Sequence, residues 1–256
     1  MKIFVCLTSI SQNQEILLKT LKSISNQSLK PNKCFLYLSE NPYLIDEGFK
    51  SKKFENNLKN FLNQKKELIK IRWCDNIGPY RKLLPLLEKK IDRNCLIITV
   101  DDDTEYDVDL IKNMVSDYEK FKCCISYRGF TMNYQGDLTK LNYEERLPLL
   151  KNNIFNFHTG KGGVLYHPSF FKKTKNIIFQ KKIYKECCPT GDDIWFKFMR
   201  IANKVPCYVD NKKYMTKDNT KEKYGLYVNF NCLNNLNTLN IKKTVEKLIE
   251  LKVLQN

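Results

Sequence analysis

The first hundred residues alternate between short apolar runs and amphipathic stretches. The apolar runs predict strands over residues 2–10, 33–39, 68–74 and 95–100. Apolar residues at helical spacing predict helices between them, over residues 14–26, 54–68 and 82–90. Strands that are apolar on both faces and separated by helices indicate a sheet covered on two sides. We therefore expect an α/β fold with a mostly parallel central sheet and helices on both faces.

After residue 128 the pattern loosens. Residues 129–165 look like an aromatic, Asn-rich loop, and residues 211–240 like a polar, mobile segment. The remaining predicted helices cover residues 109–121, 194–202 and 241–254, and the remaining strands cover 123–128, 164–166 and 205–209. No internal repeat or long linker divides the sequence. We expect one main domain over residues 1–210 and a C-terminal helical or irregular extension over 211–256.

The formal net charge of +16 adds a question about partners. Positive potential attracts nucleic acid, anionic membrane surfaces or small polyanions such as nucleotide diphosphates. Lys, Asn and Ile are used heavily along the whole sequence, which explains the charge equally well. No block of five or six consecutive basic residues occurs, so the charge alone selects no partner.

The cysteine pattern and the hydropathy of the sequence indicate the cellular compartment. The ten cysteines are scattered, several lie inside apolar runs, and none forms a C-x-x-C pair, so we expect reduced, buried thiols. The first apolar run is too short for a signal peptide, and no run of about 20 apolar residues predicts a membrane span. We expect a cytoplasmic protein that contacts the inner face of the plasma membrane peripherally, if at all.

Three consecutive aspartates, Asp101, Asp102 and Asp103, follow the fourth predicted strand. In open α/β sheets ligands gather beyond the carboxyl ends of the strands. Crowded carboxylates repel each other unless a cation lies between them, and Mg²⁺ or Mn²⁺ commonly joins one or two carboxylates to substrate phosphates. The triplet predicts a divalent-cation site. The alternative is a solvated turn in which an aspartate caps the next helix.

A second acidic motif, Gly191-Asp192-Asp193-Ile194-Trp195, begins a predicted helix. Asp192 could simply be the N-cap, with Asp193 interacting favourably with the helix dipole. A carboxylate at a rigid helix start is also well placed to act as a general base.

A third motif is the glycine-rich run Gly160-Lys161-Gly162-Gly163. Its backbone N–H groups could bind a phosphate, although the segment that follows is strand-like rather than helical. A close approach of the backbone to a sugar fits the run equally well.

Taken together, these motifs resemble bacterial family-2-like glycosyltransferases of the GT-A fold. The similarity is greatest to the sugar transferases of capsule and lipooligosaccharide synthesis in Gram-negative bacteria. It covers residues 1–210, with a nucleotide-sugar-binding half over 1–128 and an acceptor-binding half over 129–210. The matching runs are Ile3-Phe4-Val5-Cys6-Leu7-Thr8-Ser9, Gln27-Ser28-Leu29-Lys30-Pro31, Asn76-Ile77-Gly78-Pro79-Tyr80-Arg81-Lys82-Leu83, Thr99-Val100-Asp101-Asp102-Asp103, Gly162-Gly163-Val164-Leu165-Tyr166 and Gly191-Asp192-Asp193-Ile194-Trp195.

The resemblance implies a donor site for a nucleotide-diphosphate sugar, with a UDP-sugar favoured. Asp101 and Asp103 match the ends of the D-x-D motif, which implies that Asp101 faces the ribose or the metal. The resemblance also implies that Asp103 binds a Mn²⁺ or Mg²⁺ ion and that this ion bridges the two phosphates of the donor. The residues implied to bind the donor are Thr8, Ser9, Glu40, Asn76, Gly78, Arg81, Lys82, Asp101 and Asp102.

The resemblance also implies the catalytic and acceptor residues. Asp193 matches the second member of a Glu–Asp pair and would be the general base, while Asp192 replaces the Glu. Gly162, Gly163 and Trp195 would face the acceptor, although packing in the core is the favoured alternative for Trp195. Of the two histidines, His158 and His167, His167 could contact acceptor or metal or be structural.

We therefore expect a metal-dependent, inverting glycosyltransferase that acts on a carbohydrate acceptor, either free or lipid-linked, in surface polysaccharide or lipooligosaccharide synthesis. A sugar-1-phosphate nucleotidyltransferase is the nearest alternative, but residues 8–14 lack the glycine, arginine and lysine of its usual first loop. A non-catalytic basic protein that binds nucleic acid or membrane is another. Acidic strand ends disfavour nucleic acid. An inactive transferase-like scaffold is the third.

Overall fold

A computed structural model describes residues 1–89, 94–231 and 235–255 of the chain. The strands within these residues are β1 Lys2–Thr8, β2 Lys33–Leu38, β3 Ile69–Trp73, β4 Cys95–Thr99, β5 Thr104–Tyr106, β6 Cys124–Ser126, β7 Gly129–Met132, β8 Arg146–Leu147, β9 Asn152–Asn153, β10 Asn156–His158, β11 Val164–Tyr166, β12 Cys207–Val209 and β13 Thr216–Asp218. The helices are α1 Gln14–Ser25, α2 Asn56–Gln64, α3 Leu84–Glu88, α4 Leu110–Phe121, α5 Lys181–Cys187, α6 Asp192–Ala202 and α7 Leu236–Glu250.

An eight-stranded sheet forms the centre of the molecule, in the order β3-β2-β1-β4-β11-β6-β12-β9. The first four strands are parallel, whereas β11 is antiparallel to both of its neighbours. Val5, Leu36 and Ile97 in the central strands are fully buried, as expected for strands that are covered on both faces. The predicted α/β fold with a mostly parallel sheet is confirmed.

Most predicted elements are present with shifted ends. The exception is the helix predicted over residues 82–90, which the structure replaces with a 3₁₀ turn over Gly78–Lys82 followed by the short α3. Pro85 has no backbone N–H, so it fits only the first turn of a helix. The last residue of the prediction, Lys90, lies outside the described residues.

Residues 129–165 contain more regular structure than we expected. β7, β8 and β10 form a three-stranded antiparallel sheet, and Phe157 of β10 lies opposite Phe130 of β7. Aromatic side chains from the two strands stack on one another, which gives this small sheet its own packed face. The expectation of a loop here is therefore corrected.

The C-terminal segment packs on the main domain. β13 pairs with β5, the strand directly after the aspartate triplet. Ile241, Val245 and Leu248 of α7 are fully buried, because their spacing places them on one face of the helix. Contacts therefore cross the predicted boundary at residue 210, and the described part of residues 211–240 is a strand, turns and the start of a helix.

Two further expectations concern membranes and thiols. None of the helices in the described residues combines the length and the apolar character needed to span a bilayer. The nine cysteines of the described ranges form no disulfide with one another, and all except Cys74 are buried.

Candidate active site

A cavity of about 750 Å³ opens at the edge of the central sheet. β1 and β4 are parallel neighbours, so Ser9 and Asp101 leave the sheet at the same edge. The beginning of α6 lines the same cavity, although it lies some ninety residues further along the sequence. We call one part of this cavity the carboxylate end; it consists of Lys82, Asp101, Asp103, Asp192 and Asp193.

Lys82 lies at the centre of the carboxylate end. Its Nζ is 3.1 Å from Asp101 Oδ1, 3.0 Å from Asp192 Oδ2 and 3.7 Å from Asp193 Oδ1. Burial alone would lower the pKa of Lys82, but the charges of these three carboxylates raise it well above its ordinary value. The ammonium group therefore stays protonated and offsets part of the negative charge around it.

Asp193 is fixed in place while remaining accessible. Its Oδ2 accepts a hydrogen bond of 2.9 Å from the N–H of Gly160. Oδ1 is buried, but 22 % of the side chain is exposed, so Oδ2 is the carboxylate oxygen that can meet a ligand. Burial raises the pKa of Asp193 to about 7, with Lys82 opposing the shift and Asp192 adding to it. Such a carboxyl group exchanges a proton near neutral pH.

Asp192 is much less accessible than its neighbour. It begins α6 and is almost fully buried, with its carboxylate on the ammonium group of Lys82. Burial raises the pKa of Asp192, and the charge of Lys82 counteracts that shift. Its contacts therefore suit it to holding Lys82 in position rather than to meeting a substrate.

The members of the aspartate triplet point in different directions. Asp102 accepts hydrogen bonds from the Ser9 hydroxyl and, at 3.4 Å, from the Asn13 amide. Burial and the charge of Asp103 raise the pKa of Asp102 to about 7. Asp101 and Asp103 lie on either side of it, and the side chain of Asp101 remains 27 % exposed. Asp102 is therefore held by Ser9 and Asn13, whereas Asp101 keeps a partly exposed side chain that a ligand can reach.

The carboxylate end has the chemistry of a shared divalent-cation site. Asp101 and Asp103 both line the cavity, and burial and the charge of Asp101 raise the pKa of Asp103. Among the described residues, no group of three His, Cys, Asp or Glu side chains could hold a metal ion by itself. Mg²⁺ commonly takes one or two carboxylates and completes its coordination with substrate phosphates and water. The donor set fits a cation shared with a diphosphate, not an all-protein metal centre.

Residues after β13 close one side of the carboxylate end. The Thr220 hydroxyl donates a hydrogen bond of 2.6 Å to Asp103 Oδ2. Lys161 Nζ bonds to Asp218 and lies 2.6 Å from the Thr220 hydroxyl. A segment expected to be mobile thus contacts the expected metal ligand directly.

A buried ion pair supports the floor of the cavity. Arg81 is 1 % exposed, and its Nη2 is 2.9 Å from Asp46 Oδ2. Asp46 also accepts a hydrogen bond of 3.0 Å from the Asn76 amide and one of 2.9 Å from the N–H of Gly48. A buried arginine needs such a partner, because an unpaired buried charge costs several kcal/mol. The arrangement keeps Arg81 fixed at the cavity wall.

Another part of the cavity wall is aromatic and basic. Phe130 and Phe157 stack with ring centroids 5.2 Å apart, and Tyr143 stands perpendicular to both. The guanidinium group of Arg146 lies 4.4 Å from the Phe130 ring centroid. We call these four residues the aromatic end.

Comparisons with known proteins identify the fold. No family model and no curated protein match the chain. The chain is similar to the structure of residues 1–349 of S. aureus TarS, with 13 % sequence identity and a TM-score of 0.54. The similarity covers 98 % of this chain and 72 % of the TarS chain. The TarS complex with UDP gives the same values, and the complex with UDP-GlcNAc matches at 11 % identity over 86 % and 59 % of the two chains, with a TM-score of 0.53.

The chain has a GT-A glycosyltransferase fold. A second similar structure is 4-diphosphocytidyl-2C-methyl-D-erythritol synthase from Anaerococcus prevotii, at 14 % identity over 87 % of this chain and 92 % of that one, with a TM-score of 0.50. At such low identity these structures establish the GT-A architecture, and the reaction has to be argued from the site.

Most of the residues expected to bind a donor meet at one edge of this GT-A sheet. Those that line the cavity are Thr8, Ser9, Gly78, Arg81, Lys82, Asp101 and Asp102. Two others lie elsewhere. Glu40 is exposed and pairs with Lys52 at 3.4 Å, while the amide of Asn76 bonds to Asn41 and Asp46. Glu40 and Asn76 are therefore not among the residues that line the cavity, and Asn76 instead supports Asp46.

Among the glycines, Gly160 rather than Gly162 or Gly163 reaches the GT-A cavity. A Cβ on Gly160 would lie 2.4 Å from Asp101 Oδ1 and 2.7 Å from Lys82 Nζ, so only glycine allows this close approach. A Cβ on Gly162 would meet the Arg128 backbone, and one on Gly163 would meet Met114. The acceptor contacts expected of Gly162 and Gly163 are replaced by packing roles.

Trp195 and the histidines are also structural. Trp195 is fully buried and donates a hydrogen bond of 3.0 Å to the Ile178 carbonyl, so the expected stacking on an acceptor is wrong. His158 is fully buried with Nδ1 3.9 Å from Asp193 Oδ1, and burial lowers its pKa well below the ordinary value. His167 bonds to Ser169 and stacks on Tyr118, away from the cavity.

Sequence reasoning missed several residues of the cavity, mainly Asp46, Thr220 and the aromatic end, and it named Gly160 and Lys161 only as part of the glycine-rich run. Asp46 lies in a polar stretch without periodicity, so its pattern gives no sign of a role. The need for a carboxylate partner becomes evident only once Arg81 is seen to be buried. Thr220 reaches the site because β13 pairs with β5. The clustered aromatic residues of 129–160 were the one signal available for the aromatic end.

Proposed function

We propose that this protein transfers a sugar from a nucleoside-diphosphate sugar to a hydroxyl group of a carbohydrate acceptor. One observation carries the proposal: the aspartate triplet and the start of α6 meet around Lys82 in a single cavity. The GT-A fold supports it, and the similar TarS structures with UDP and UDP-GlcNAc favour a UDP-sugar as donor.

Asp193 is the general base in this proposal. Its accessible Oδ2 takes the proton from the acceptor hydroxyl as that oxygen attacks the anomeric carbon. The bond between the anomeric carbon and the diphosphate oxygen breaks, and the electron pair leaves with the diphosphate. A single displacement of this kind inverts the anomeric centre. Gly160 and Lys82 hold the carboxylate of Asp193 at the required place.

Asp103 and Asp101 would hold Mn²⁺ or Mg²⁺ together with the diphosphate. When bound, such a cation offsets the negative charge that develops on the leaving group. Thr220 orients Asp103 through its 2.6 Å hydrogen bond, and Lys82 sets the position of Asp101. The raised pKa of Asp103 agrees with this role, since crowded carboxylates are most stable when a cation neutralises them.

A nucleotidyltransferase is the second candidate, because one of the similar structures is a diphosphocytidyl-methylerythritol synthase. Such an enzyme must bind the triphosphate of a nucleotide. Residues 9–13 supply no basic side chain or glycine for that purpose; instead Ser9 and Asn13 bond to Asp102. The carboxylate of Asp193 also has an evident role toward an acceptor hydroxyl, which favours sugar transfer.

We place this activity at the cytoplasmic face of the inner membrane, in the synthesis of surface polysaccharide or lipooligosaccharide. The net charge of +16 supports attraction to an anionic membrane that carries a lipid-linked acceptor. The acidic carboxylate end disfavours nucleic acid as the partner.

Calorimetric titration with UDP, GDP and CDP, with and without Mn²⁺, tests the proposal. We expect Mn²⁺-dependent binding of UDP, weakened at least about tenfold in Asp103→Ala because a ligand of the cation is lost. Asp75→Ala is the matched control, since Asp75 is 84 % exposed and remote from the carboxylate end. The absence of any nucleoside-diphosphate binding with Mn²⁺ would contradict the proposal. Pyrophosphate release from a nucleoside triphosphate and a sugar 1-phosphate would instead establish the second candidate.

A further inference from the structure

The aromatic end has the construction of a ligand subsite. Phe130, Tyr143 and Phe157 pack with neighbouring ring centroids 5.2 to 5.3 Å apart. Phe157 and Tyr143 are buried, whereas Phe130 is partly exposed at the cavity wall. Phe157 stacks on the Phe130 ring and the guanidinium group of Arg146 lies over that ring, so the aromatic cluster is a rigid support for Arg146 at the cavity wall.

A guanidinium group is held against this surface. Arg146 of β8 lies opposite Met132 of β7 and is diagonal to Phe130, so the two side chains share one face of the sheet. Its guanidinium carbon is 4.4 Å from the Phe130 ring centroid and 5.2 Å from that of Tyr143. Stacking of this kind fixes the orientation of the fork of N–H donors.

Arg146 nevertheless retains capacity for a ligand. Its side chain is 45 % exposed, and Glu144, its ion-pair partner, is 3.6 Å away and 58 % exposed. An exposed pair of this kind is weak and can be replaced. A second arginine of the cavity, Arg128, is engaged elsewhere, because its guanidinium group bonds to the Thr159 hydroxyl at 2.8 Å and lies 5.8 Å from the Tyr214 ring centroid.

The charged groups differ along the cavity wall. Three aspartates contact Lys82 at the carboxylate end, whereas the aromatic end presents the guanidinium group of Arg146 with Glu144 as its ion-pair partner. A neutral sugar requires no arginine, whereas carboxylate and phosphate groups match the guanidinium fork in a bidentate manner. A nucleotide donor that uses the carboxylate end would leave the aromatic end to the acceptor.

We propose that the acceptor is an anionic carbohydrate, whose carboxylate or phosphate group binds the guanidinium group of Arg146. This inference rests on the proposed function, because it assigns the aromatic end to the acceptor of the same reaction. It narrows the acceptor to sugars that carry a negative charge near the hydroxyl group that is glycosylated.

Ligand-observed NMR on the protein with UDP and Mn²⁺ tests this subsite directly. The probes are methyl glucuronide, glucose 6-phosphate and the neutral methyl glucoside. We expect at least one anionic probe to bind about tenfold more tightly than methyl glucoside. Tighter binding of methyl glucuronide would indicate a carboxylate, and tighter binding of glucose 6-phosphate a phosphate. Equal binding of all three probes would overturn the proposal.

Variants separate charge recognition from structural support. Arg146→Gln should lose most of the preference for the anionic probe, about tenfold, and leave the affinity for methyl glucoside within about twofold. Arg72→Gln is the control, since Arg72 stacks on Phe35 outside the cavity. An equal loss for neutral and anionic probes would mean that Arg146 only supports the sheet, which contradicts the proposal.

UDP titration of Arg146→Gln distinguishes this inference from the proposed function. Unchanged Mn²⁺-dependent UDP binding is expected, because the contacts of Arg146 are with Phe130, Tyr143 and Glu144 and not with the residues of the carboxylate end. A loss of UDP affinity in this variant would assign Arg146 to the donor and overturn the inference. Failure of UDP to bind the wild type would instead contradict the proposed function itself.

Discussion

The two ends of the cavity are built in different ways. The side chains of the carboxylate end come from the residues after the buried β4, from a short 3₁₀ turn and from the first turn of α6. Lys82 pairs with three of the aspartates, Asp101, Asp192 and Asp193. The aromatic end comes from a small antiparallel sheet whose strands are only two to four residues long. One end is held by buried charges, the other by stacked rings with an exposed arginine.

This difference separates chemistry from recognition. A base and a cation site must be held within a fraction of an ångström, which rigid elements and buried ion pairs can achieve. An acceptor subsite on short strands can change its side chains without disturbing the large sheet. Substitutions at the carboxylate end should therefore alter rate and stability, and those at the aromatic end should alter acceptor preference.

Asp193→Asn should have the largest effect on turnover. The amide cannot accept the proton, so we expect kcat to fall by about 10²–10⁴. The Asn oxygen can still accept the hydrogen bond from Gly160, and UDP affinity in Mn²⁺ should stay within about threefold. Steady-state UDP release measures kcat, and calorimetry measures UDP binding. A parallel loss of UDP binding would show that Asp193 belongs to the donor site rather than to the acceptor reaction.

Lys82→Met should have the largest effect on stability. Removing the ammonium group leaves Asp101, Asp192 and Asp193 without their shared counter-charge, which we expect to cost about 3 kcal/mol in the free energy of unfolding at pH 8. Urea unfolding measures this change. The control Lys19→Met removes an exposed helical pair with Glu15 and should change stability by no more than about 0.5 kcal/mol. If both variants are equally stable, Lys82 does not hold the carboxylate end together.

The pH dependence of kcat/KM sharpens the assignment of the base. Since the pKa of Asp193 is raised to about 7, its carboxylate is protonated below that pH and cannot act as a base. We expect kcat/KM to rise with pH through about 7, by about tenfold per unit on the acid side. UDP binding measured over the same pH range separates this change from protonation of Asp103. A flat profile with unchanged UDP binding would exclude Asp193 as the base.

Asp102→Asn should have the smallest effect, and it should be stabilising. The folded pKa of Asp102 is raised to about 7, so its contribution to stability is present below the unfolded value near 4 and is lost as pH rises through 7. Asparagine keeps an acceptor for the Ser9 hydroxyl without the charge. We expect a gain of about 1 kcal/mol at pH 8 and almost none at pH 5, by urea unfolding. Destabilisation at pH 8 would mean that Asp102 is needed as a carboxylate.

Local sequence patterns determined much of this protein. Short apolar runs such as residues 95–98 favour buried strands, and their alternation with amphipathic helices indicates a covered parallel sheet. Strand ends of such a sheet meet at one edge, which is why the triplet and Thr8-Ser9 could be placed together before any coordinates. The helix that begins at Asp192 was likewise evident from its apolar periodicity.

Only the tertiary structure decided which of these residues face the cavity. Trp195 and Asp193 share the first turns of one helix, yet one is in the core and the other is accessible, because burial depends on what packs against each face. Asp46, Thr220 and Arg146 reach the cavity through pairings between segments far apart in the sequence. Periodicity reports the neighbours of a residue along the chain, whereas the site depends on contacts that form only when distant segments fold together.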